Sequence, residues 1–433
     1  MRKVIQFPQA ENSNLLKKLI HLSSDYTDVC ILNSNDYQHD TYSKYKWLAG
    51  FGQVDSLAIK INDEQVFEKL DDFLKQNKNE WVFGYLAYDL KNKIELLDSS
   101  NLDLLNFNTI YLFVPQFILT SAEEIELFGH QSIGNDAITS FTNSIQQQKY
   151  NKPNFRKSSI QFKQRIQHDE YLQSISAIQQ HIKLGDIYEM NFCQEFYSEQ
   201  VIVNPADIFT QLNEVTPAPF SAFFKENECY LMSASPERYI QKIENHIISQ
   251  PIKGTAKRAK DILEDEKLKL SLENNSKERA ENIMIVDLVR NDLSRIAKPK
   301  SVNVSELCGI YTFPQVHQMI STVTAELPKN TAFSKIIKAT FPMGSMTGAP
   351  KIRAMELIEQ FEKTQRGLFS GSVGYIDPHG DFDFNVVIRS LLYHAKNQYL
   401  SLSTGGAITF KSNAEEEYQE SLLKAQAILG LFD

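Results

Sequence analysis

Apolar residues at three- and four-residue steps predict two amphipathic helices in the second half of the chain. The first helix opens at His168 or Asp169 and closes at Gly185, and its apolar stripe consists of Leu172, Ile175, Ile178 and Ile182. The second runs from Ala349 to Phe361, with a stripe made of Ile352, Met355, Ile358 and Phe361. Between them, the short apolar run from Ile187 to Phe192 predicts a strand.

A period of two residues appears near the carboxyl end of the sequence. A turn at Asp377–Asp381 separates two extended runs. Along the second run the apolar side chains fall on one face, at Phe382, Phe384, Val386 and Ile388. Helices and hairpin-linked strands are therefore mixed, which predicts an α+β fold of antiparallel sheets backed by helices.

Composition narrows the class of protein. The chain has 433 residues, of which 42% are hydrophobic and 23% charged, as is typical of a folded protein. Its formal net charge of −9 argues against a nucleic-acid partner. No apolar run has the length of a membrane span, so no membrane association is expected. The four cysteines form no CxxC pair, which favours a cytoplasmic protein.

A polar tract over Ser140–Gln164 is rich in Gln, Asn, Lys and Ser. It predicts a surface connection between an N-terminal portion, residues 1–150, and a second portion, residues 160–433. The alternative is an ordinary long loop within one fold.

Two pairs of glutamates occur at helical spacing. Glu278 and Glu281 form one pair, and Glu417 and Glu420 form the other, with Lys424 on the same face as Glu417. One carboxylate from each of two facing helices would suit Mg²⁺, which prefers oxygen ligands. The alternative is that these glutamates are ordinary solvated side chains.

A basic segment, Pro251–Arg258, contains a glycine at position 254 that permits close backbone approach. Lys253, beside other cations or a metal, would lose part of its proton affinity and act as an amine nucleophile. A solvated basic turn is the alternative. Glu237 follows Pro236 and, if buried, would serve as a general acid, although a simple turn at the end of a strand is also compatible.

Three further segments are candidates for binding. Ser345 belongs to a Gly-rich stretch before the second predicted helix, where backbone N–H groups would face an anion. The Ser403–Ala407 stretch carries a Gly pair that a ligand could approach. His317 is either a binding residue or a satisfied core histidine.

Taken together in this order, the motifs resemble those of the chorismate-utilising enzymes. The resemblance covers 165–430 and rests on six separated segments: Gly185–Tyr188 with Asn191, Ser235–Glu237, Pro251–Thr255, Glu281–Leu288 with Arg290–Asp292, Gly348–Lys351, and Glu417–Lys424. It implies an α/β sandwich in which two antiparallel sheets face each other, helices lie outside, and the N-terminal portion interleaves with a chorismate-binding catalytic domain.

Within this family the residue before Gly254-Thr255 separates the branches. Lys253 is similar to the branch that makes aminodeoxychorismate, whereas anthranilate synthases typically have Ala there; Thr216–Ser221 also resembles the former branch. The resemblance leaves two alternatives, namely an anthranilate synthase component I and a catalytically silent relative that only binds chorismate.

The resemblance also implies roles for individual residues. Mg²⁺ would be held by Glu281 and Glu420, with Glu278 and Glu417 orienting the groups around it. Substrate anions would be held by Arg389, Lys424, Gly254, Gly405 and Gly406, with His317, Thr255 and Ser345 near the ring.

Glu237 would protonate the departing hydroxyl while Lys253 attacks the ring. Ammonia would come from a separate glutaminase, because the chain has no cysteine in a Gly-x-Cys-x-Gly setting.

Three residues depart from the family pattern. Glu189 occupies a position that is usually Gln in ammonia users and Lys in water users. The resemblance places it around the metal site with Glu278 and Glu417, where its carboxylate would act as a base or bind ammonium. Phe369 stands where a tyrosine is expected, and Ala407 replaces the second glycine of a Gly-x-Gly. In the N-terminal portion, Cys30–Ser34 is the nearest counterpart of a tryptophan-binding stretch, so tryptophan binding remains an open question at this level.

Overall fold

A computed structural model describes residues 3–6, 14–150 and 160–432. The helices are α1 Leu15–Leu22, α2 Val66–Gln76, α3 Lys91–Ile94, α4 Asn135–Gln147, α5 His168–Leu184, α6 Pro205–Val215, α7 Ile262–Glu273, α8 Ser276–Ser294, α9 Phe333–Thr340, α10 Lys351–Phe361 and α11 Ala414–Leu429. The strands are β1 Lys3–Gln6, β2 Asp28–Asn33, β3 Trp47–Ile59, β4 Val82–Leu86, β5 Ile110–Ser121, β6 Ile125–Gly129, β7 Lys163–Gln164, β8 Glu189–Ser198, β9 Phe220–Glu226, β10 Cys229–Ser235, β11 Arg238–Ile243, β12 His246–Gln250, β13 Ile252–Lys257, β14 Asn303–Thr312, β15 Val316–Glu326, β16 Gly348–Ala349, β17 Ser372–Ile376, β18 Phe382–Asn385, β19 Ser390–His394 and β20 Tyr399–Ile408.

The named strands pair antiparallel in two runs that share the long strand β5. One run has the order β1-β6-β5-β3-β2-β9-β10-β19-β20-β8, and the other has the order β5-β4-β17-β18-β11-β12-β15, with β13 and β14 both on β15. A buried apolar cluster contains residues of both runs, such as Phe224 and Leu392 from the first and Ile240 and Phe384 from the second. The predicted α+β architecture with facing antiparallel sheets is confirmed.

Strands of the N-terminal portion are built into the sheets of the rest of the chain. β2 pairs with β9, so that Asn33 lies opposite Ser221, and β4 pairs with β17. The predicted surface connection over Ser140–Gln164 is wrong for its first part, which is helical in α4. The apolar residues Ile138, Phe141 and Ile145 of that helix are buried, and this stripe outweighs the polar composition. The middle of the tract, 151–159, lies outside the described residues.

Elements with strong local signals match the structure closely. α5 begins at His168, and Gly185 ends it with a left-handed φ of 84°. The turn at Asp377–Asp381 joins β17 to β18. β18 ends at Asn385, earlier than the alternation predicted, because the Val386 amide donates to the carbonyl of Glu237 instead.

In the described part of the chain, no helix combines the length and apolar character needed to cross a membrane. All four cysteines are free thiols.

Candidate active site

A buried ion pair joins two strands from different runs. The Lys253 Nζ on β13 lies 3.1 Å from the Glu189 Oε1 on β8. Both side chains are withdrawn from solvent, with 12% of Lys253 and 1% of Glu189 exposed. The second carboxylate oxygen of Glu189 is buried without a hydrogen-bond partner among the described residues. Lys253 is therefore directed into the protein.

The surroundings of Lys253 differ from the sequence prediction. Burial disfavours the ammonium, but the carboxylates of Glu189, Glu281 and Glu237 outweigh it and raise the pKa of Lys253. The expectation that neighbouring cations lower this pKa is wrong, because Arg258 turns away to bind Asp265. Lys253 is therefore an ammonium in this structure. It must lose a proton before its nitrogen can act as an amine nucleophile.

Glu237 is a buried carboxyl group beside Lys253. Its Oε1 accepts a hydrogen bond of 2.7 Å from the Ser345 hydroxyl, and the Ile252 amide also donates to its side chain. Burial nevertheless dominates and raises the pKa of Glu237 to about 7, with Lys253 and Arg389 opposing this shift. A carboxyl group with this pKa is suited to donate a proton near neutral pH, and the role of Glu237 as the general acid stays a prediction.

The position of Ser345 is fixed by Asn191, which belongs to one of the sequence motifs, and by Arg366, which sequence reasoning missed. The Asn191 side chain donates to the carbonyl of Ser345, and the buried Arg366 guanidinium donates to the carbonyls of Met346 and Asn191. Arg366 is itself held by Glu362 at 2.7 Å. The i, i+4 spacing of this pair was the available signal, but such pairs are common on exposed helices as well.

The two predicted glutamate pairs lie on α8 and α11 and meet through lysines. The Lys277 Nζ lies 3.9 Å from Glu281 and 4.0 Å from Glu417, so it bridges the two helices. The Lys424 Nζ lies 2.7 Å from Glu420 and donates to the Gly405 carbonyl at 2.8 Å. The two helices therefore converge as predicted, and the Lys424 ammonium neutralises the Glu420 carboxylate.

Burial affects the carboxylates unequally. It raises the pKa of Glu281 to about 7 and also raises the pKa values of Glu278 and Glu417. Burial acts in the same direction on Glu420, but the Lys424 ammonium outweighs it and lowers the pKa of that group. A bound divalent cation would reduce the electrostatic cost of burying a charged carboxylate, and this gain would be largest for the most buried ones.

The donor set can be tested against Mg²⁺. The Glu281 Oε1 is buried with no hydrogen-bond partner in the described part of the chain. No group of three or more His, Cys, Asp or Glu side chains there converges tightly enough to hold a metal ion unaided. Mg²⁺ usually takes only one or two carboxylates together with water and substrate oxygens, so the unpartnered Glu281 carboxylate fits such an ion. Glu420 is already paired with Lys424, and its role as a second ligand stays a prediction.

Two of the sequence motifs serve to position α8. Asn282 is buried, accepts a hydrogen bond from the Ser321 hydroxyl and donates to the Met319 carbonyl on β15. At the far end of the helix Asp292 forms an ion pair with Lys351 of α10. These contacts hold α8 against the sheet and so direct Glu278 and Glu281 toward the site.

The remaining predicted binding residues surround this centre. Gly254 has a left-handed φ of 93°, and a Cβ there would lie 3.1 Å from a Glu278 oxygen. Gly405, Gly406 and Ala407 lie on β20 opposite Cys193, Phe192 and Asn191 of β8. Arg389 lines a small pocket beside Pro236, and burial lowers its pKa.

Three predicted contacts take other forms in the structure. Both ring nitrogens of His317 have internal partners, Thr312 at 3.0 Å and Asp265 at 3.1 Å. Phe369 is buried in the main apolar cluster, and Thr255 is exposed on β13. Their roles in substrate binding stay predictions.

Part of the Cys30–Ser34 stretch lines a separate cavity. Leu32, Asn33 and Ser34 line it together with residues such as Tyr45 and Trp47.

A family model described as "chorismate binding enzyme" matches residues 28–430. The chain belongs to this family. It is 42% identical over 261 residues to aminodeoxychorismate synthase component 1 of Escherichia coli, an alignment that covers 60% of this chain and 57% of that protein. It is 33% identical over 368 residues to the Bacillus subtilis protein of the same name, covering 80% of this chain and 76% of that one. The chain thus spans little more than half the length of the Escherichia coli relative.

Solved structures support the fold of this family member. The menaquinone-specific isochorismate synthase of Escherichia coli superposes with a TM-score of 0.81 at 16% identity, covering 100% of this chain and 94% of that one. Anthranilate synthase component I of Streptococcus pneumoniae gives a TM-score of 0.76 at 24% identity, covering 90% and 94%. At these identities the likeness establishes a shared architecture.

Proposed function

We propose that the protein has the activity of an aminodeoxychorismate synthase component I. It would convert chorismate and ammonia to 4-amino-4-deoxychorismate for the synthesis of para-aminobenzoate and folate. The observation that carries the proposal is the buried Lys253 amine, 3.1 Å from Glu189 and within the electrostatic field of Glu237. Relatives that bear this name in Escherichia coli and Bacillus subtilis support the same activity.

Lys253 and Glu237 divide the chemistry between them. Glu237, with a pKa raised to about 7 by burial, protonates the 4-hydroxyl so that it leaves as water. The Lys253 nitrogen forms a bond to C2 of the ring as the C4–O bond breaks, and the diene electrons shift between the two carbons. Ammonia then adds at C4 and expels the lysine. A covalent intermediate replaces one difficult displacement by two easier ones.

Charged groups around this pair would bind the substrate. Glu281 and Glu420 are the residues that would hold Mg²⁺, whose charge would neutralise the ring carboxylate. Glu278 and Glu417 would orient the ligands of that ion. Arg389 faces a cavity next to Pro236 and would bind a second carboxylate.

The other binding groups are backbone and side-chain donors near the same centre. The backbone at Gly254 and Gly405 would approach the substrate closely. Lys424, already bonded to the Gly405 carbonyl, would add positive charge beside that backbone.

Ammonia and the cellular location complete the proposal. Ammonia would be supplied by a separate glutaminase subunit, in keeping with the name "component 1" of the relatives. The four free cysteines are compatible with the reducing cytoplasm.

Product identification tests the activity. Purified protein is incubated with chorismate, Mg²⁺ and an ammonium salt, and the products are identified by mass spectrometry, with parallel reactions that lack ammonium. We expect 4-amino-4-deoxychorismate only when ammonium is present. Anthranilate or isochorismate as the product would overturn the proposal, and no consumption of chorismate would identify a silent binding relative.

Glu237→Gln and Glu195→Gln form a matched pair of variants for this assay. Both positions are buried carboxylates. Glu195, however, lies toward the far end of β8, where it accepts hydrogen bonds from Arg165, Tyr399 and Ser401. Removing the general acid at Glu237 should lower kcat by about 10²- to 10⁴-fold, whereas Glu195→Gln should leave the chemistry intact.

A further inference from the structure

Glu189 is the residue at this site that the proposed function leaves without a task. Its Oε1 contacts the Lys253 Nζ, its side chain is 1% exposed, and its Oε2 is buried without a partner among the described residues. Building on the proposed function, we propose that Glu189 is the base that takes the proton from Lys253, so that this proton stays inside the site during nucleophilic attack.

Other acidic groups also face Lys253, but they are poorly placed for this transfer. Glu281 and Glu237 influence Lys253 electrostatically, and Glu278 and Glu420 are affected by it in turn. Of the described carboxylates, only Glu189 lies within ion-pair distance of the Lys253 nitrogen.

The nearer alternatives already have other partners or tasks. Glu237 is bonded to Ser345 and must carry its own proton to the leaving hydroxyl. Glu281 lies beside Lys277, at 3.9 Å. Glu189 has a free buried oxygen as well as the contact, so it can accept a proton without breaking another hydrogen bond.

The position of Glu189 is fixed by its backbone. It begins β8, where it lies opposite Ala349 of β16. A Cβ on Gly348 would lie 2.2 Å from the Glu189 carbonyl oxygen, so the glycine permits this close approach. The side chain is therefore held against Lys253 by the packing of two segments.

The proposed step conserves atoms and charge. One N–H proton of the Lys253 ammonium moves to a Glu189 oxygen, which leaves a neutral amine and a carboxylic acid. The amine lone pair then forms the bond to C2, the ring electrons shift, and the C4–O bond breaks. The hydroxyl leaves as water with the proton of Glu237, so the site ends with a secondary ammonium, a neutral Glu189 and an ionised Glu237.

This internal transfer predicts a distinctive pH dependence. Because the proton passes between two groups of the site, the number of bound protons is unchanged before attack. The wild-type rate should therefore follow the titration of Glu237 alone and fall as the pH rises through about 7. If Gln replaced Glu189, the proton would have to leave for solvent. Relative to the wild type at the same pH, the rate of attack would then rise about tenfold per pH unit as the pH increases toward the pKa of Lys253.

The step can be measured directly on the full chain. Protein, Mg²⁺ and chorismate are mixed without ammonia, and the covalent adduct is followed by intact-protein mass spectrometry as a gain of chorismate less one water. The rate is recorded from pH 6 to pH 9 for the wild type, Glu189→Gln, Glu189→Asp and the control Glu195→Gln. Thermal melting and chorismate binding show whether each variant is folded.

The expected results separate a base from a structural contact. Glu189→Gln should form the adduct about 10²-fold more slowly than the wild type at pH 7, because a general base contributes on that scale, and the difference from the wild type should narrow as the pH rises. Glu189→Asp should keep the wild-type pH profile at a reduced rate, and Glu195→Gln should match the wild type. A folded Glu189→Gln variant whose pH profile coincides with the wild type, or that reacts faster at pH 7, would overturn the inference.

Failure of the broader proposal would look different. If the wild type forms no adduct at any pH, the covalent route through Lys253 is wrong and the role of Glu189 falls with it. If the wild type forms the adduct but Glu189→Gln behaves identically, the activity stands and only the assignment of the base fails.

Discussion

The hydrogen bond from Ser345 to Glu237 should set the upper pH limit of the reaction. Burial raises the pKa of Glu237 to about 7, and the Ser345 hydroxyl opposes this shift by donating to the carboxylate at 2.7 Å. In the proposed mechanism the protonated form of Glu237 is the active one, so activity should fall as the pH rises through this value. Ser345→Ala removes a donor that favours the charged form, and the pKa of Glu237 should therefore rise.

The size of the shift follows from the bond that is lost. A hydrogen bond to a charged group contributes about 1.5–3 kcal/mol, and one pKa unit corresponds to about 1.4 kcal/mol. Part of this energy is also present in the neutral acid, which can accept a weaker bond, and the Ile252 amide still donates to the carboxylate in the variant. We therefore expect the alkaline limb to move upward by roughly one pH unit.

The assay is a pH profile of aminodeoxychorismate formation at saturating chorismate, Mg²⁺ and ammonia. Ser401→Ala is the matched control, because the Ser401 hydroxyl donates to Glu195 at the same distance of 2.7 Å in a buried setting away from Lys253. The control should leave the alkaline limb in place. A Ser345→Ala profile that coincides with the wild type, or that moves to lower pH, would show that Glu237 is not the acid that limits the rate.

Three further outcomes follow from the same structure. Lys253→Ala should remove the covalent adduct and shift the product toward anthranilate, as identified by mass spectrometry; unchanged aminodeoxychorismate formation would contradict the lysine route. Glu281→Gln should raise the Mg²⁺ concentration needed for half-maximal activity, and chelation should abolish wild-type activity until Mg²⁺ is restored. Arg238→Met should lower the free energy of unfolding by about 3–5 kcal/mol in denaturant titrations, because the fully buried Arg238 pairs with Asp383. Arg353→Met, at an exposed pair with a neighbouring helical residue, should cost less than about 1 kcal/mol.

Features encoded over a few neighbouring residues could be predicted from the sequence. The apolar steps of α5 and the left-handed Gly185 define a helix and its end. The three-residue spacing of Glu278 and Glu281 is sufficient to place both on one part of α8. A single segment determines each of these features, so no knowledge of distant contacts is needed.

The electrostatics of the site depend on contacts between distant segments. The sequence predicts cationic neighbours for Lys253 from Lys257 and Arg258, which follow it, but Arg258 turns to Asp265 instead. Glu189 reaches Lys253 only because β8 and β13 meet in three dimensions. Sequence reasoning therefore identifies the participants but not the carboxylates that raise the pKa of Lys253.

The pairing of β2 with β9 has a consequence for synthesis on the ribosome. β2 emerges early, whereas the strand that completes its hydrogen bonds is translated long afterwards. Until then one apolar edge of the nascent chain has no partner, and such edges invite association with other polypeptides. Covering that edge during translation should therefore increase the fraction of chains that fold.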